Sequence, residues 1–452
     1  MQSVNPYTNT IIAEYTEFSD KEINKAIENN FNSWLEWKKT SFEHRSFLMQ
    51  KAAKTLRSKK EELAKLITEE MGKRIEESEA EIEKCAWVCD YYADNAAKML
   101  ADEPIETDGS KSMSVFQPIG PVLAVMPWNY PFWQVFRFAA PALMAGNAGL
   151  LKHASNVQGC ALAIENIFNE AGFPNNLFKT LVIGSSKVET VIANSEVRAV
   201  TLTGSEGAGS KVASAAGKYL KKSVLELGGS DPCIVLEDAD LDEAAKTGIK
   251  SRMLTSGQTC IAAKRFIIVE KVATEFIEKV KTEFEKYQPG DPLKKETMLA
   301  PLSKRNFVEE VHQQVADSVK MGAKVELGGM MTDNESCFYP ATLITNVTPD
   351  MPVFKEETFG PVAAFIVVKS EKEAIEAANN SVFGLGAAIW TQDTKRGEKI
   401  GREIEAGAVF INGLVKSDPR LPFGGIKNSG FGRELSHYGI REFCNIKSLW
   451  IK

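Results

Sequence analysis

Histidine is scarce in this chain of 452 residues: there are four, and no two stand in a His-x-x-x-His pair. Cys85 and Cys89, in "EKCAWVCDYY", have no second cysteine or histidine pair at ligand spacing. No metal site is expected, and the two thiols read as core packing on one helix face. Long apolar runs are missing too; none approaches the roughly 20 residues of a membrane span. The opening stretch "MQSVNPYTNTIIAEYTEF" lacks the basic-then-apolar order of a signal peptide. Neither charge sign dominates, with 54 basic residues against 60 acidic ones and a formal net charge of −6. That balance argues against a nucleic-acid or anionic-membrane partner. Seven cysteines, an odd number without framework spacing, fit a reducing compartment, so the cytoplasm is the expected location. The G-x-G-x-x-G fingerprint of dinucleotide-binding folds is also absent. A dinucleotide enzyme with this sequence must hold its cofactor by a variant route.

What is present is a hydrophobic share of 44%, ample for two or more domains. The first hundred residues read as helices. Ser19 and Glu22 form a capping box that opens a helix running to about residue 38, and further helical patterns cover about 42–72 and 74–100. "DEPIETDGSKSMSVFQPIG" alternates around an Asp-Gly turn, as a hairpin does. From residue 120 the texture changes. Short apolar runs ("PVLAVMPW", "AGLLKHA", "KTLVIG", "VRAVTLTG", "DPCIVLE") alternate with helical stretches at 158–171 and 206–220. Such alternation predicts a parallel α/β sheet. A second α/β set follows from about 230 to 415, and no low-complexity linker separates the two.

Four stretches carry groups with chemistry, each with a plainer alternative. "VRAVTLTGSEGAGSKVASAAGKYL" feeds a strand through Gly204-Ser205 into a helix, which aims backbone N–H groups at an anion or is simply a capped helix. In "VLELGGSDPCIVLED", Glu226 ends an apolar run directly before Gly228-Gly229. There it is either a carboxylate facing a cleft, open to upward pKa tuning, or a solvated strand end. "VMPWNYPFWQVFRFAAPAL" puts Pro131 in the first turn of a helix. Asn129, Trp133 and Arg137 would then lie at i, i+4, i+8 on one face, as a functional row or an amphipathic stripe. "TSGQTCIAAKR" presents Cys260 between a polar turn and a strand start, where a small buried hydrophobe is the plain reading.

Taken together, Pro127-Trp128-Asn129, Gly204-Ser205, Glu226-Leu227-Gly228-Gly229, Gly257-Gln258-Thr259-Cys260, Glu356-Glu357-Thr358-Phe359-Gly360-Pro361 and Pro422-Phe423-Gly424-Gly425 change the balance. In this order and spacing they resemble the aldehyde dehydrogenase superfamily over the full length. The resemblance implies an α/β protein with a Rossmann-like coenzyme domain (1–105 and 121–227), an α/β catalytic domain (228–432) and a small β oligomerisation element (106–120 and 433–452). It implies Cys260 as the nucleophile on an aldehyde carbon, with Asn129 and the Cys260 N–H stabilising the oxyanion. Glu226 becomes the base that hydrolyses the resulting thioester. Coenzyme-A-acylating relatives generally lack a base there, so a free acid is the expected product. For the cofactor, the resemblance implies Lys152 at the adenosine ribose, Ser205 at the pyrophosphate and Glu357 at the nicotinamide ribose. Phe359 would pack beside the nicotinamide, and Trp128 would lie along the cofactor path.

Where the family commonly reads Lys-Pro-x-Glu, this chain reads "KHAS", with Ser155 replacing the carboxylate that holds the ribose hydroxyls. A negative charge is thus removed where a 2′-phosphate would sit, with Lys152 left as counter-charge. NADP is the expected preference, with NAD accepted. His153 takes the place of the proline and has no assigned role. Arg137 resembles the arginine with which succinate-semialdehyde dehydrogenases hold the substrate carboxylate. It is expected to clamp that group bidentately, with Trp133 and Ser417 beside it. A second arginine found six residues before the nucleophile in some of those enzymes is Leu254 here, so a five-carbon semialdehyde stays open, as does a generalist small-aldehyde activity. Ala262 stands where a second cysteine would make a disulfide switch. A non-catalytic relative would need neither Cys260 nor Glu226, and a thiol esterase would need none of the cofactor residues. The C-terminal "REFCNIKSLWIK" resembles the family's oligomerisation strand, implying a homodimer or homotetramer.

Overall fold

The structure, a computed structural model, describes residues 1–331 and 335–452. The helix Asp20–Trp37 opens on the expected capping box: Ser19 Oγ accepts from Glu22 N, and Glu22 accepts from Ser19 N. The pattern over 42–72 is two helices rather than one, Phe42–Ser58 and Lys60–Met71. They are broken at Lys59, which leaves helical geometry at φ −104° and ψ 13°. Ile75–Met99 packs across both, burying Ile82, Cys85, Ala86, Cys89 and Tyr92. The two cysteines are core residues, as expected.

A six-stranded sheet follows the order Gly430–Phe431, Lys222–Glu226, Ala199–Thr203, Pro121–Met126, Ala148–His153, Phe178–Thr180. All its pairings are parallel except that of the Gly430–Phe431 edge. The "KTLVIG" run contributes only its first part. After Thr180 the chain turns away, and the Val182 carbonyl accepts from Phe18 N at 2.8 Å. The sheet begins at Pro121–Met126, grows outward on one side, then crosses over to add Ala199–Thr203 on the other. Such a reversal is a topological switch point, and ligands of open α/β sheets sit beyond the strand C-termini there. In this chain those termini lead into Pro127-Trp128-Asn129 and Gly204-Ser205.

The second sheet runs Lys324–Leu327, Thr342–Thr345, Val362–Val368, Ala263–Val269, Asp231–Val235, Gly386–Trp390, Ala408–Ile411, parallel except at its first strand. Its central strands are buried on both faces and rich in Val, Ile and Phe, the signature of a covered parallel sheet. A three-stranded antiparallel sheet joins Glu103–Pro104, Lys111–Pro118 and Cys444–Ile451.

The helix after the first strand starts later than expected. It spans Trp133–Met144, and Asn129 precedes it in a turn. Asn129, Trp133 and Arg137 therefore do not form one helical row, and the straight helical spacing expected between Asn129 and Arg137 does not hold. Side-chain bonding of Asn129 to a distant loop, rather than helical periodicity, sets its place.

Candidate active site

The Cys260 loop is held in an unusual shape by its sequence. Thr255, Ser256 and Gly257 lie in succession at φ 53°, 54° and 81°. Left-handed backbone is uncommon for non-glycine residues and persists only where the surroundings over-determine it. Here they do. Thr255 N donates to Glu77, Thr255 Oγ1 to the Tyr130 hydroxyl, and Ser256 Oγ to the Ala300 carbonyl. At Gly257 a Cβ would sit 2.2 Å from the Gly360 carbonyl oxygen, so no other residue fits. Two buried cations hold the carbonyls of this loop. Arg252 donates to Gly257 O, and Lys264 Nζ donates to Thr259 O at 3.0 Å and Cys260 O at 2.6 Å.

Cys260 itself is partly exposed, while the other six cysteines are buried. It lines a cleft of ≈ 210 Å³ with Trp128, Asn129, Ser205, Gly228, Phe307, Glu357 and Phe359 among its neighbours. Asn129 is fixed at both ends of its amide: Nδ2 donates to Gln258 O at 2.9 Å, and Oδ1 accepts from Gln134 Nε2 at 2.9 Å. That leaves one N–H of Asn129 to donate, and the Cys260 N–H has no protein acceptor among the described residues. Two preorganised donors beside a thiol are what an oxyanion at a thiohemiacetal requires. Burial pushes the Cys260 thiol up to about 12, with Lys264 pulling down and Glu357 pushing up. The resting group is therefore a thiol whose proton must be taken before it attacks.

Glu226 ends the strand Lys222–Glu226, 2% exposed, and neither of its carboxylate oxygens has a hydrogen-bond partner among the described residues. An unsatisfied buried carboxylate is costly and is the mark of a working acid or base. Burial, and then the neighbouring Glu434 carboxylate, raise Glu226 well above the usual carboxylate range; Arg137 and Arg433 oppose this. The bend after it depends on Gly228 and Gly229. Cβ atoms there would lie 2.4 Å from Glu357 Oε2 and 2.9 Å from Cys260 O. The double glycine thus lets the segment that carries Glu226 run against the loop that carries Cys260.

Arg137 differs from expectation. It is 3% exposed, ion-paired with the buried Glu434, donates to Thr203 Oγ1 at 3.2 Å and lies 4.5 Å from the Phe423 ring centre. Glu434 meets its Nε, and Thr203 takes one proton of Nη2. Its charge is also balanced inside the protein, by the buried Glu434. Trp133 and Ser417 do come together, with Trp133 Nε1 donating to Ser417 Oγ at 3.0 Å.

The cofactor side fits a dinucleotide. A larger cleft of ≈ 1110 Å³ lies over the C-terminal ends of the first sheet, lined by Lys152, Ser205, Gly207 and Lys211 among others. It meets the Cys260 cleft at Ser205, which lines both. Ser205 caps the helix Glu206–Lys218, with Oγ accepting from Ala208 N. A Cβ at Gly207 would meet nothing within 4 Å, so this helix end opens onto the cleft. An open helix N-terminus suits a pyrophosphate without a G-x-G-x-x-G loop. Lys152 is partly buried there, while Ser155 is exposed on the next turn and does not line the cleft. Trp128 stacks on Phe307 at 4.9 Å and meets the edge of Phe359 at 5.9 Å. Glu357 is anchored by Gly229 N at 3.1 Å and Lys264 Nζ at 3.3 Å.

Sequence reasoning missed Lys264, Phe307, Glu434 and the structural use of His153. Lys264 follows the nucleophile by four residues and was legible in "CIAAKR"; Phe307 and Glu434 reach the site only through folding. His153 is buried with Nε2 2.9 Å from Pro131 O, accepts from Ala154 N, and is pushed by burial down to about 4. It is a neutral tie between a strand end and the turn carrying Asn129.

A cleft at a switch point, with a partly exposed thiol, oxyanion donors and an unpaired buried carboxylate, belongs to an enzyme. Residues 1–449 match the aldehyde dehydrogenase family model, and the chain belongs to that family. It is an NAD(P)-dependent oxidoreductase of aldehydes. Among its relatives, a probable succinate-semialdehyde dehydrogenase [NADP(+)] from Synechocystis is 50% identical over 449 residues, covering 99% of both chains. Succinate-semialdehyde dehydrogenase [NADP(+)] 1 of Mycobacterium tuberculosis is 45% identical, again over 99% of each. The crystal structure of succinic semialdehyde dehydrogenase from Streptococcus pyogenes in complex with NADP+ superposes with a TM-score of 0.97 at 38% identity. That match covers 100% of this chain and 99% of the other.

Proposed function

We propose that this enzyme oxidises succinate semialdehyde to succinate, with NADP preferred over NAD. The observation that carries the reading is the full-length likeness to relatives bearing that activity in their names. The site supports it chemically. Cys260 gives up its proton and attacks the aldehyde carbon, while Asn129 Nδ2 and the Cys260 N–H hold the oxyanion. A nicotinamide dinucleotide, when bound, supplies the hydride acceptor. Lys152 and Ser205 hold its adenosine ribose and pyrophosphate, Glu357 its second ribose, and Trp128 and Phe359 flank its path. Glu226 then takes a proton from water as the water attacks the Cys260 thioester, and the carboxylic acid leaves. Trp133 and Ser417 form the far end of the substrate site. Arg137 acts by neutralising Glu434 beside the base. With Ser155 exposed and uncharged next to Lys152, a 2′-phosphate meets no carboxylate.

The enzyme is a homodimer or homotetramer of the cytoplasm in this reading. Support comes from the strand Cys444–Ile451, which leaves Ile446, Leu449, Trp450 and Ile451 exposed along one edge of its sheet. The test of the function is nicotinamide reduction with succinate semialdehyde against butanal, each with NADP and NAD. A kcat/KM at least about tenfold higher for the semialdehyde and for NADP is expected from one charge contact in each case. Equal values for the two aldehydes would leave a generalist enzyme.

A further inference from the structure

The strands Ala263–Val269 and Val362–Val368 run parallel, with Arg265 opposite Ala364. The segments that lead into them, one carrying Cys260 and the other Glu357, therefore arrive side by side. Lys264 stands between the two. It is 1% exposed and does not line the Cys260 cleft. Its Nζ donates to Thr259 O at 3.0 Å and Cys260 O at 2.6 Å, and lies 3.3 Å from Glu357 Oε1. An ammonium has three protons, and these three acceptors take all of them. Glu357 Oε1 also accepts from Gly229 N at 3.1 Å, whereas Oε2 has no hydrogen-bond partner among the described residues. Glu357 lines the cleft, so one carboxylate oxygen is tied inward and the other is free to accept a hydroxyl.

Holding two carbonyls requires N–H donors but no charge, and a buried ammonium is costly. The charge has two uses here. It pairs with Glu357, and it faces the thiol. Burial, and then Arg252, lower the proton affinity of Lys264, while Glu357, Asp231 and Cys260 raise it. Asp231 makes no ion pair with Lys264 among the described residues; its Oδ1 accepts from Gly386 N at 3.0 Å, and burial pushes it up to about 7. Cys260, raised by burial, is drawn toward thiolate by Lys264 first and Arg137 second, against Glu357 and Asp231. A neutral side chain at this position would remove the stronger of those two pulls and release Glu357 Oε1 at the same time.

We propose that Lys264 is a positioning residue of the aldehyde oxidation: one ammonium ties the Cys260 peptide to the Glu357 carboxylate and so registers the nucleophile against the nicotinamide ribose. It touches neither substrate nor cofactor and acts through those two residues. The assignment rests on the roles given above to Cys260 and Glu357, and it is indifferent to the chain length or terminal group of the aldehyde.

The test compares wild type, Lys264→Met and Lys264→Gln in three assays. These are alkylation of the cofactor-free thiol by iodoacetamide from neutral to alkaline pH, NADP binding by tryptophan fluorescence, and NADP reduction with butanal. Lys264→Gln removes the charge and keeps N–H donors for the two carbonyls, so it holds the loop even where Lys264→Met does not fold. Both variants are expected to alkylate about tenfold more slowly below the thiol pKa, with the profile moved to higher pH because a positive neighbour is lost. Kd for NADP rises about threefold or more, and kcat falls about tenfold or more. With Glu357→Gln already in place, Lys264→Gln weakens NADP binding by less than about twofold further, because the two residues act as one unit. An alkylation profile that stays at its wild-type position marks a packing role and overturns the assignment. Losses of NADP affinity that multiply across the double variant overturn the tie through Glu357. NADP binding untouched by Glu357→Gln alone overturns the ribose role of Glu357, and this assignment with it.

Discussion

Arg137 and Lys84 are two cations of the same region, and their surroundings treat them in opposite ways. Arg137, on the helix Trp133–Met144, is enclosed and neutralised by Glu434. Lys84, on the neighbouring Ile75–Met99 helix, is given a hydroxyl and an indole face but no carboxylate within ion-pair distance among the described residues. One charge works inward on the protein's own acids. The lesson is that a cation near a substrate site is not by its presence a substrate ligand; what matters is whether its charge is already balanced. The same contrast separates the acid-rich base region, where proton affinities are raised, from the substrate end, where the amine's is lowered.

The comparison breaks most visibly at the base. Glu226→Gln keeps the shape and removes the proton acceptor, so steady-state turnover should fall by roughly 10²–10⁴-fold. A single stoichiometric burst of reduced nicotinamide should survive, because acylation of Cys260 precedes hydrolysis. Rapid mixing reads this directly; a variant with normal turnover would remove Glu226 from the deacylation step.

Arg137→Met is the sharper probe of the inward-facing cation. It strands Glu434 beside Glu226 with no positive charge between them, raising both further. Removing one partner of a buried pair is severe, and a loss of roughly 10–100-fold in kcat is expected for succinate semialdehyde and butanal alike. A loss confined to the semialdehyde would show instead that Arg137 releases Glu434 and touches the substrate.

The smallest effect is the pH profile, which separates the two regions within one experiment. Glu226 has a raised pKa, so its basic form, and with it kcat, grows as pH rises above the ordinary carboxylate range. The Cys260 thiol at about 12 likewise gains thiolate with rising pH, so its attack should quicken toward alkaline pH without a plateau at neutrality. Lys84 runs the other way. Burial lowers it to about 8, so it is charged below that value and loses its proton above.

Much of the architecture was legible because it rests on local signals. The Ser19–Glu22 capping box, the Val- and Ile-rich strands and the helix at 158–171 are decided by neighbours in the chain, and they stand where they were expected. Two of the three errors have a common origin. The 42–72 helix is interrupted at Lys59, and "KTLVIG" leaves its sheet where Val182 bonds Phe18. Asn129 was read near the helix N-terminus, in one row with Trp133 and Arg137, yet its amide is held by Gln258 and Gln134. In the second and third cases a partner distant in sequence redirects the local pattern.

By itself the sequence determined where Cys260 and Glu226 stand. Cys260 beside Gly257, and Glu226 beside Gly228-Gly229, are specified because these backbones must pass closer to Gly360, Glu357 and Cys260 than any Cβ permits. Only the tertiary structure decided which charges are free. Charge balance is a property of distance, and the partners of Arg137 and Lys84 come from elsewhere in the chain. Glu434 arrives from beside the Gly430–Phe431 edge strand and Ser417 from a loop of the other α/β unit.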